Sequence, residues 1–263
     1  MKRWTIALGN ALAVFGALLL LWQTIIWIFG VASYLLPTPW AVAKTLVQRR
    51  EVLLNALAIT AGEAGAGLAV SVAAGTVVAL IFAQSRWLRR MLFPYTLLLQ
   101  TVPIIAIAPL VILWVGQGVP AVILIAFIIS LAPIIANATQ GLISVDEQLV
   151  QLFVMYGASP MQLLFKLRLP NALPALFVGV RISGGLAVIG AIIGELYAGS
   201  SRVGAGGLGY SIQYASTQLQ TAYLFALVAA TTALGFAFIF MVMFLEWYFL
   251  HRWHESARAP ETN

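Results

Sequence analysis

Three ionisable side chains, Glu63, Arg181 and Glu195, stand inside long apolar runs, and any chemistry this chain performs has to be sought around them first. The usual constellations are missing. The lysines are Lys2, Lys44 and Lys166, and none follows a glycine-rich loop in the Walker pattern. Gly199, Gly204, Gly206, Gly207 and Gly209 crowd one segment, but no Lys-Ser or Lys-Thr follows them to hold a phosphate. His251 and His254 lie together near the end of the chain, without the His-Glu-x-x-His spacing of a zinc site. There is no cysteine, hence no thiol catalysis and no disulfide. No carboxylate pair or nucleophile–base set is legible within an apolar run. The sequence predicts a chain that is not an enzyme and needs no cofactor or metal.

The elements that hold these residues follow from composition. Of 263 residues, 62% are hydrophobic and 8% charged, against roughly 25% charged in an average soluble domain. So few charges cannot cover a water-soluble globule of this size, and the chain needs lipid around it. The net charge of +6 does not point to nucleic acid, because the basic residues sit mostly at the ends of apolar runs. A membrane-spanning helix takes about 20 apolar residues. Six stretches qualify: Thr5–Ala32, Val52–Ala83, Met91–Val115, Pro120–Thr139, Ala172–Tyr197 and Tyr223–Leu250. The first follows Lys2 and Arg3 as a signal peptide would, but its apolar length favours a retained helix. With the N-terminus in the cytoplasm, Lys2, Arg3, Arg86, Arg89, Arg90, Lys166, Arg168, Arg252 and Arg258 fall inside and Lys44, Arg49, Arg50 and Arg202 outside. That imbalance places both termini in the cytoplasm. No soluble domain is expected, so residues 1–263 form one all-α transmembrane domain. The Pro37-Thr38-Pro39 turn leads to Trp40–Arg50, which reads as a short interfacial helix.

On this plan Glu63 and Arg181 each lie about ten residues, or about 15 Å, from opposite ends of their spans. They are expected to meet near the midplane as a buried pair, which serves packing or contacts the solute. Glu195 is expected either to line the mouth of a pathway or to snorkel to water. Glu246, beside Trp247, Tyr248, Phe249 and Trp253, is expected to reach water at an aromatic belt. The glycine-rich segment reads as a mobile gate or a plain connector. Pro103, Pro109 and Pro133 permit kinks. The small residues from Ala61 to Gly67 offer a surface for close helix packing.

The longest stretch between spans, Gly141–Asn171, is not a polar connector. Leu149, Leu152, Phe153, Tyr156, Leu163 and Leu164 recur at helical spacing, and Gly157, Ala158, Ser159 and Pro160 interrupt them once. Two short helices with a turn are predicted. They form either a docking element for a cytoplasmic partner or an amphipathic hairpin on the bilayer.

Gln151-Leu152-Phe153, three residues, Gly157, nine residues, then Leu167-Arg168-Leu169-Pro170 resembles the EAA loop of ABC importer permeases. That pattern is Glu-Ala-Ala, three residues, Gly, nine residues, Ile-x-Leu-Pro. Gly157, Leu169 and Pro170 stand in the expected places, while the acidic triplet is replaced. The chain is most similar to the nitrate, sulfonate, taurine and thiamine-precursor group. Leu36-Pro37-Thr38-Pro39, Val102-Pro103, Ala108-Pro109-Leu110, Leu113-Trp114-Val115-Gly116, Gly194-Glu195 and Gly207-Leu208-Gly209-Tyr210 carry the likeness. At Glu63 that group often carries Arg, a second departure.

The resemblance implies the type I importer (MetI-like) fold, with six transmembrane helices and a cytoplasmic coupling helix within residues 141–171. It implies that Gln151, Leu152, Phe153, Tyr156, Gly157, Ala158, Ser159, Leu169 and Pro170 couple to an ATPase. The implied partners are a cytoplasmic ABC ATPase dimer, an external substrate-binding protein and a second permease subunit, expected to be a copy of this chain. The implied location is the bacterial inner membrane, and the implied role is translocation of a small solute, with a slight leaning in residues 187–195 and 215–217 towards thiamine-precursor or vitamin-type members. The competing reading is a secondary transporter or channel that works without ATP. Such proteins usually show inverted repeats or many interior charges, and neither is visible here.

Overall fold

The computed structural model describes residues 2–198 and 206–251. Expectations that rest on Gly199, Arg202, Gly204, Arg252, Trp253, His254 and Arg258 lie outside the described residues. Among the described residues every regular element is helical: α1 (Lys2–Phe29), α2 (Pro39–Gln48), α3 (Arg50–Gln84), α4 (Arg86–Thr101), α5 (Ile104–Val115), α6 (Val119–Ile143), α7 (Glu147–Met155), α8 (Pro160–Leu163), α9 (Leu169–Ala198), α10 (Leu208–Thr217) and α11 (Thr221–Leu250). A π-helical segment, Leu164–Arg168, joins α8 to α9, so Pro160–Ala198 is one rod of 39 residues.

This rod, α3, α6 and α11 are each long and apolar enough to cross a membrane, and α4 with α5 forms a bent pair that is long and apolar enough only when the two are taken together. In α1, Ala13–Phe29 is apolar but shorter. The expected six spans thus map onto six helical units, and the third departs from expectation. Rather than one helix over Met91–Val115, it is two helices at 100°. The cause is local. Val102 precedes a proline and takes an extended conformation (φ −72°, ψ 123°), while Pro103 brings no N–H and serves as the N-cap of α5. Pro109 and Pro133 remain inside α5 and α6.

The bundle is built on α6, which packs between α3 and α9 at very short range. Glycines make this possible. A methyl group at Gly67 of α3 would come within 2.6 Å of the Ala126 Cβ on α6. On α9, one at Gly179 would lie 2.9 Å from the Pro133 carbonyl, and one at Gly190 2.8 Å from the Ala126 Cα. Backbones this close can trade hydrogen bonds with neighbouring helices. The Ser183 hydroxyl donates to the Ser130 carbonyl at 2.6 Å, Ser130 Oγ returns the bond at 3.3 Å, and Ser71 donates to the Phe127 carbonyl at 2.9 Å. In lipid no hydrophobic force draws helices together, so small residues and such bonds, about 0.6 kcal/mol each, supply the association. The small-residue run of α3 is used within this chain, with Gly67 on α6 and Gly65 facing Phe238 of α11, while nothing packs on Gly62.

Short connections hold the two ends of the bundle. At one end Arg49 hydrogen-bonds Gln220 at 2.7 Å and lies over the Tyr223 ring, and Thr221 donates to the Tyr34 carbonyl at 2.6 Å. At the other, Arg168 Nη1 donates to the Ala83 carbonyl at 3.0 Å, and Asn171 Nδ2 to the Gly141 carbonyl at 3.3 Å. Below these are called the α10 end and the α7 end.

The glycine contacts predict opposite outcomes at two sites of one helix. Gly67→Ala should lower stability by about 1–3 kcal/mol by overpacking α3 against α6, whereas Gly62→Ala should be neutral or gain about 0.5–1 kcal/mol from helix propensity. Thermal unfolding of the purified chain in one detergent compares them.

Candidate functional site

Two places gather the residues singled out above. At the α7 end, the capped helix α7 starts at Asp146, whose carboxylate accepts from the Gln148 N–H at 2.8 Å. It ends in a turn where Gly157 adopts φ +72°, a left-handed value that side chains resist. Ser159 then opens α8 with a reciprocal capping box to Gln162, and Pro160 occupies its first turn. Of the residues in the motif, Leu152 and Tyr156 are exposed, Phe153 is half-buried, and Met155 and Tyr156 are each 84% exposed. Leu152, Phe153, Tyr156, Ala158, Gln162 and Lys166 line one open concavity. An apolar tip held forward on a capped turn is a surface made for contact.

Leu169 and Pro170 lie at the start of α9, within a continuous helical rod. The helix does not stop there, and α8 runs through the π-helical turn into α9. The wider turn just before Pro170 relieves the clash that its ring would make with the carbonyl four residues earlier. Arg168 ties this turn to the end of α3 through Ala83. The tip is therefore one piece with a span.

The charges inside the spans are arranged otherwise than expected. Glu63 and Arg181 do not pair. Arg181 forms an ion pair and hydrogen bond with Glu246 of α11, so Glu246 does not simply reach into water. Glu63 lines a small cavity with Glu195. Helix length explains the error. Twenty-one residues separate Glu63 from the α7 end of α3, about 32 Å, whereas twelve separate Arg181 from the start of α9, about 18 Å. Equal depths from opposite ends of such long helices do not coincide.

Glu195 neither snorkels nor faces an open mouth: it is 4% exposed. Its Oε1 accepts from the Thr60 hydroxyl at 2.6 Å and its Oε2 from the Gly209 N–H at 2.5 Å. The Leu208 N–H donates to Thr60 Oγ1 at 2.8 Å. A carboxylate and a hydroxyl from two spans thus satisfy the first N–H groups of α10, where the helix dipole favours an anion. Gly207 and Gly209 are not mobile filler. A Cβ at Gly207 would fall on the Glu195 carboxylate and the Thr60 hydroxyl, and one at Gly209 on the Ile192 carbonyl. Sequence reasoning missed Thr60, although it stands one helical turn before Glu63, and missed Glu246 as the partner of Arg181. Beside this seat a second pocket, of about 140 Å³, is lined by Arg49, Tyr210, Ser211, Tyr214 and Tyr223.

The family model described as the binding-protein-dependent transport system inner membrane component matches residues 71–255, from within α3 past the end of α11. The chain belongs to this family. Among its relatives, a probable ABC transporter permease protein of Haemophilus influenzae is 33% identical over 247 residues, covering 94% of this chain and 97% of that one. The formylaminopyrimidine transport permease protein ThiX of Halalkalibacterium halodurans is 32% identical over 83% of this chain and 85% of its own. The riboflavin transport system permease protein RibX of Chloroflexus aurantiacus is 32% identical over 91% and 88%. An inward-facing crystal structure of the MetNI methionine ABC transporter aligns with a TM-score of 0.52 at 21% identity, over 80% of this chain and 98% of that one, which shows the same fold. The permease is thus the inner-membrane, multi-pass subunit of an ABC importer of small solutes, and works with an ATPase and a substrate-binding protein. It does not itself catalyse a reaction.

Because Arg181 and Glu246 are only partly screened by the bundle, with side chains 36% and 24% exposed, their pair is worth less than a fully buried one. Arg181→Ala should lower the stability of the permease in lipid by on the order of 1–2 kcal/mol, and the Arg181→Leu, Glu246→Leu double variant should recover most of that. A thermal-unfolding double-mutant cycle of the two Leu substitutions in nanodiscs measures it, and a double-variant loss equal to the sum of the single losses would show that the pair is not coupled.

Proposed function

We propose that residues 141–171 of the permease are the coupling element, that the α7 end lies in the cytoplasm with both termini, and that two copies of the chain form one pathway for a small nitrogen heterocycle. The observation that carries the coupling role is the exposure of Met155 and Tyr156 at the tip of a capped, glycine-turned hairpin continuous with α9. Both large side chains are almost wholly exposed, and Tyr156 lines the concavity together with Leu152, Phe153, Ala158 and Lys166. A protein surface pressed on this tip moves a 39-residue helix. The Arg168–Ala83 bond carries the movement to α3, so closure of an ATPase dimer would rock spans as rigid bodies. Gln151, in place of the acidic residue of the motif, leaves the docking chiefly apolar. Ser159, Leu169 and Pro170 shape the hairpin and its exit, while Gly157 permits the turn.

The orientation has support from the grouping of charges. Arg86, Arg89, Arg90, Lys166 and Arg168 all fall at the α7 end, and Lys44, Arg49 and Arg50 at the α10 end. More lysine and arginine gathers inside than outside.

The substrate class is supported by two independent features. Relatives at 32% identity are named for a formylaminopyrimidine and for riboflavin, both planar nitrogen heterocycles. At the α10 end, the pocket of Tyr210, Tyr214, Tyr223 and Arg49 offers aromatic faces and a guanidinium, which suit a flat polar ring.

Replacing Met155 and Tyr156 together by Ala should weaken retention of the ATPase by about 30-fold, equivalent to loss of about 2 kcal/mol at an interface hot spot, and should depress uptake of labelled aminopyrimidine without lowering the permease's melting temperature. Unchanged retention would sink the coupling role. In this cysteine-free chain, Met155→Cys should react with an impermeant maleimide in inverted vesicles and stay unlabelled in intact spheroplasts; the reverse pattern turns the topology around.

A further inference from the structure

At the α10 end a cavity of about 80 Å³ lies between α3, α6, α9 and α10. Glu63 and Glu195 share its wall, 7% and 4% exposed, so two buried carboxyls face one small space. The two carboxyls are served very unequally. Glu195 receives the Thr60 hydroxyl and the Gly209 N–H at the first turn of α10, surroundings made for an anion. Glu63 Oε2 is buried, and among the described residues no N–H or O–H reaches it.

Two ionised carboxylates facing one buried cavity of this size repel each other. No cation among the described residues forms an ion pair with either, since Arg181 is held by Glu246. Arg49 is in the neighbouring pocket, engaged with Gln220 and Tyr223. Among the described residues the other titratable side chain facing the cavity is Tyr210 of α10, while α6 contributes Val119 and Val122 besides Gly118. One hydrogen ion shared by the two carboxyls would turn that repulsion into attraction.

We propose that this cavity is a proton-binding site, in which Glu63 carries the proton and donates it to Glu195, and that the bound proton holds the start of α10 on α3 and α9. The balance is simple. With the proton in place the pair carries one negative charge, and that charge is spread over the Thr60 and Gly209 donors. When it leaves to water, two charges face each other across the wall on which Gly207 and Gly209 are seated, and α10 lifts. Tyr210 and Ser211 of α10 also line the neighbouring Arg49 pocket, so the site links proton occupancy to the shape of that pocket. The inference does not depend on which solute the permease carries.

The test uses the assembled transporter in nanodiscs. Infrared difference spectra of native minus Glu63→Gln should show the carbonyl stretch of a protonated, unhydrated carboxyl, shifted in D2O and fading as pH rises. Spectra without that band at any pH at which the complex stays assembled would overturn the proposal, as would a band that disappears on exchanging choline for sodium, which marks a metal cation as the occupant. A second readout needs no change at the pair. Labelling of Ser211→Cys by an impermeant maleimide, divided by that of exposed Gln218→Cys at each pH to cancel thiol ionisation, should rise several-fold towards alkaline pH. It should stay flat when Glu63→Gln is added. A ratio flat in the native background, or equally steep in both, removes the latch.

Discussion

Everything in this bundle rests on how closely α3 and α9 approach α6. Lipid offers no hydrophobic drive to press apolar helices together, so they hold only where surfaces fit and backbone carbonyls become reachable. Gly67, Gly179, Gly190 and Gly194 remove the side chains that would keep the axes apart. Ser71, Ser130 and Ser183 then bond to carbonyls of neighbouring helices. This tight three-helix contact lets Thr60 and Glu195, on different spans, reach the same pair of N–H groups on α10. It also lets a displacement applied to one helix reach the others undiminished.

The two ends of the bundle use this rigidity for different purposes. At the α7 end, a hairpin with an exposed apolar tip continues into α9 through a π-helical turn just before Pro170. The two short helices and turn expected there are present, and the second runs on into α9 as one rod. At the α10 end the same helix finishes beside the seat of α10, where the helix start is held by side chains rather than by its own backbone. One rod thus joins the exposed apolar tip at the α7 end to the pockets at the α10 end.

Glycines illustrate how one residue type takes on unrelated tasks. At Gly157 the backbone turns left-handed with open space around it, so conformation is the reason. At Gly207 the backbone is extended, and the reason is space, because a carboxylate and a hydroxyl occupy the place of a side chain. Within the glycine-rich segment, Gly207 and Gly209 are thus held by close packing.

Composition, hydrophobic run length and the spacing around Gly157 and Pro170 were enough to determine the membrane class, the helical units and the family, because these properties are local or are written along one dimension. The break at Val102-Pro103 was also within reach, since a residue before proline is driven to an extended conformation. Which charge meets which was decided only by the tertiary structure. Arg181 finds Glu246 and Glu63 finds Glu195 because helices of 35 and 30 residues overhang the apolar core by different amounts and slide to bring glycine against helix. Depth counted from a predicted span end cannot register that slide. Pairing between helices depends on axial offset and rotation, and those are set by packing rather than by the order of residues.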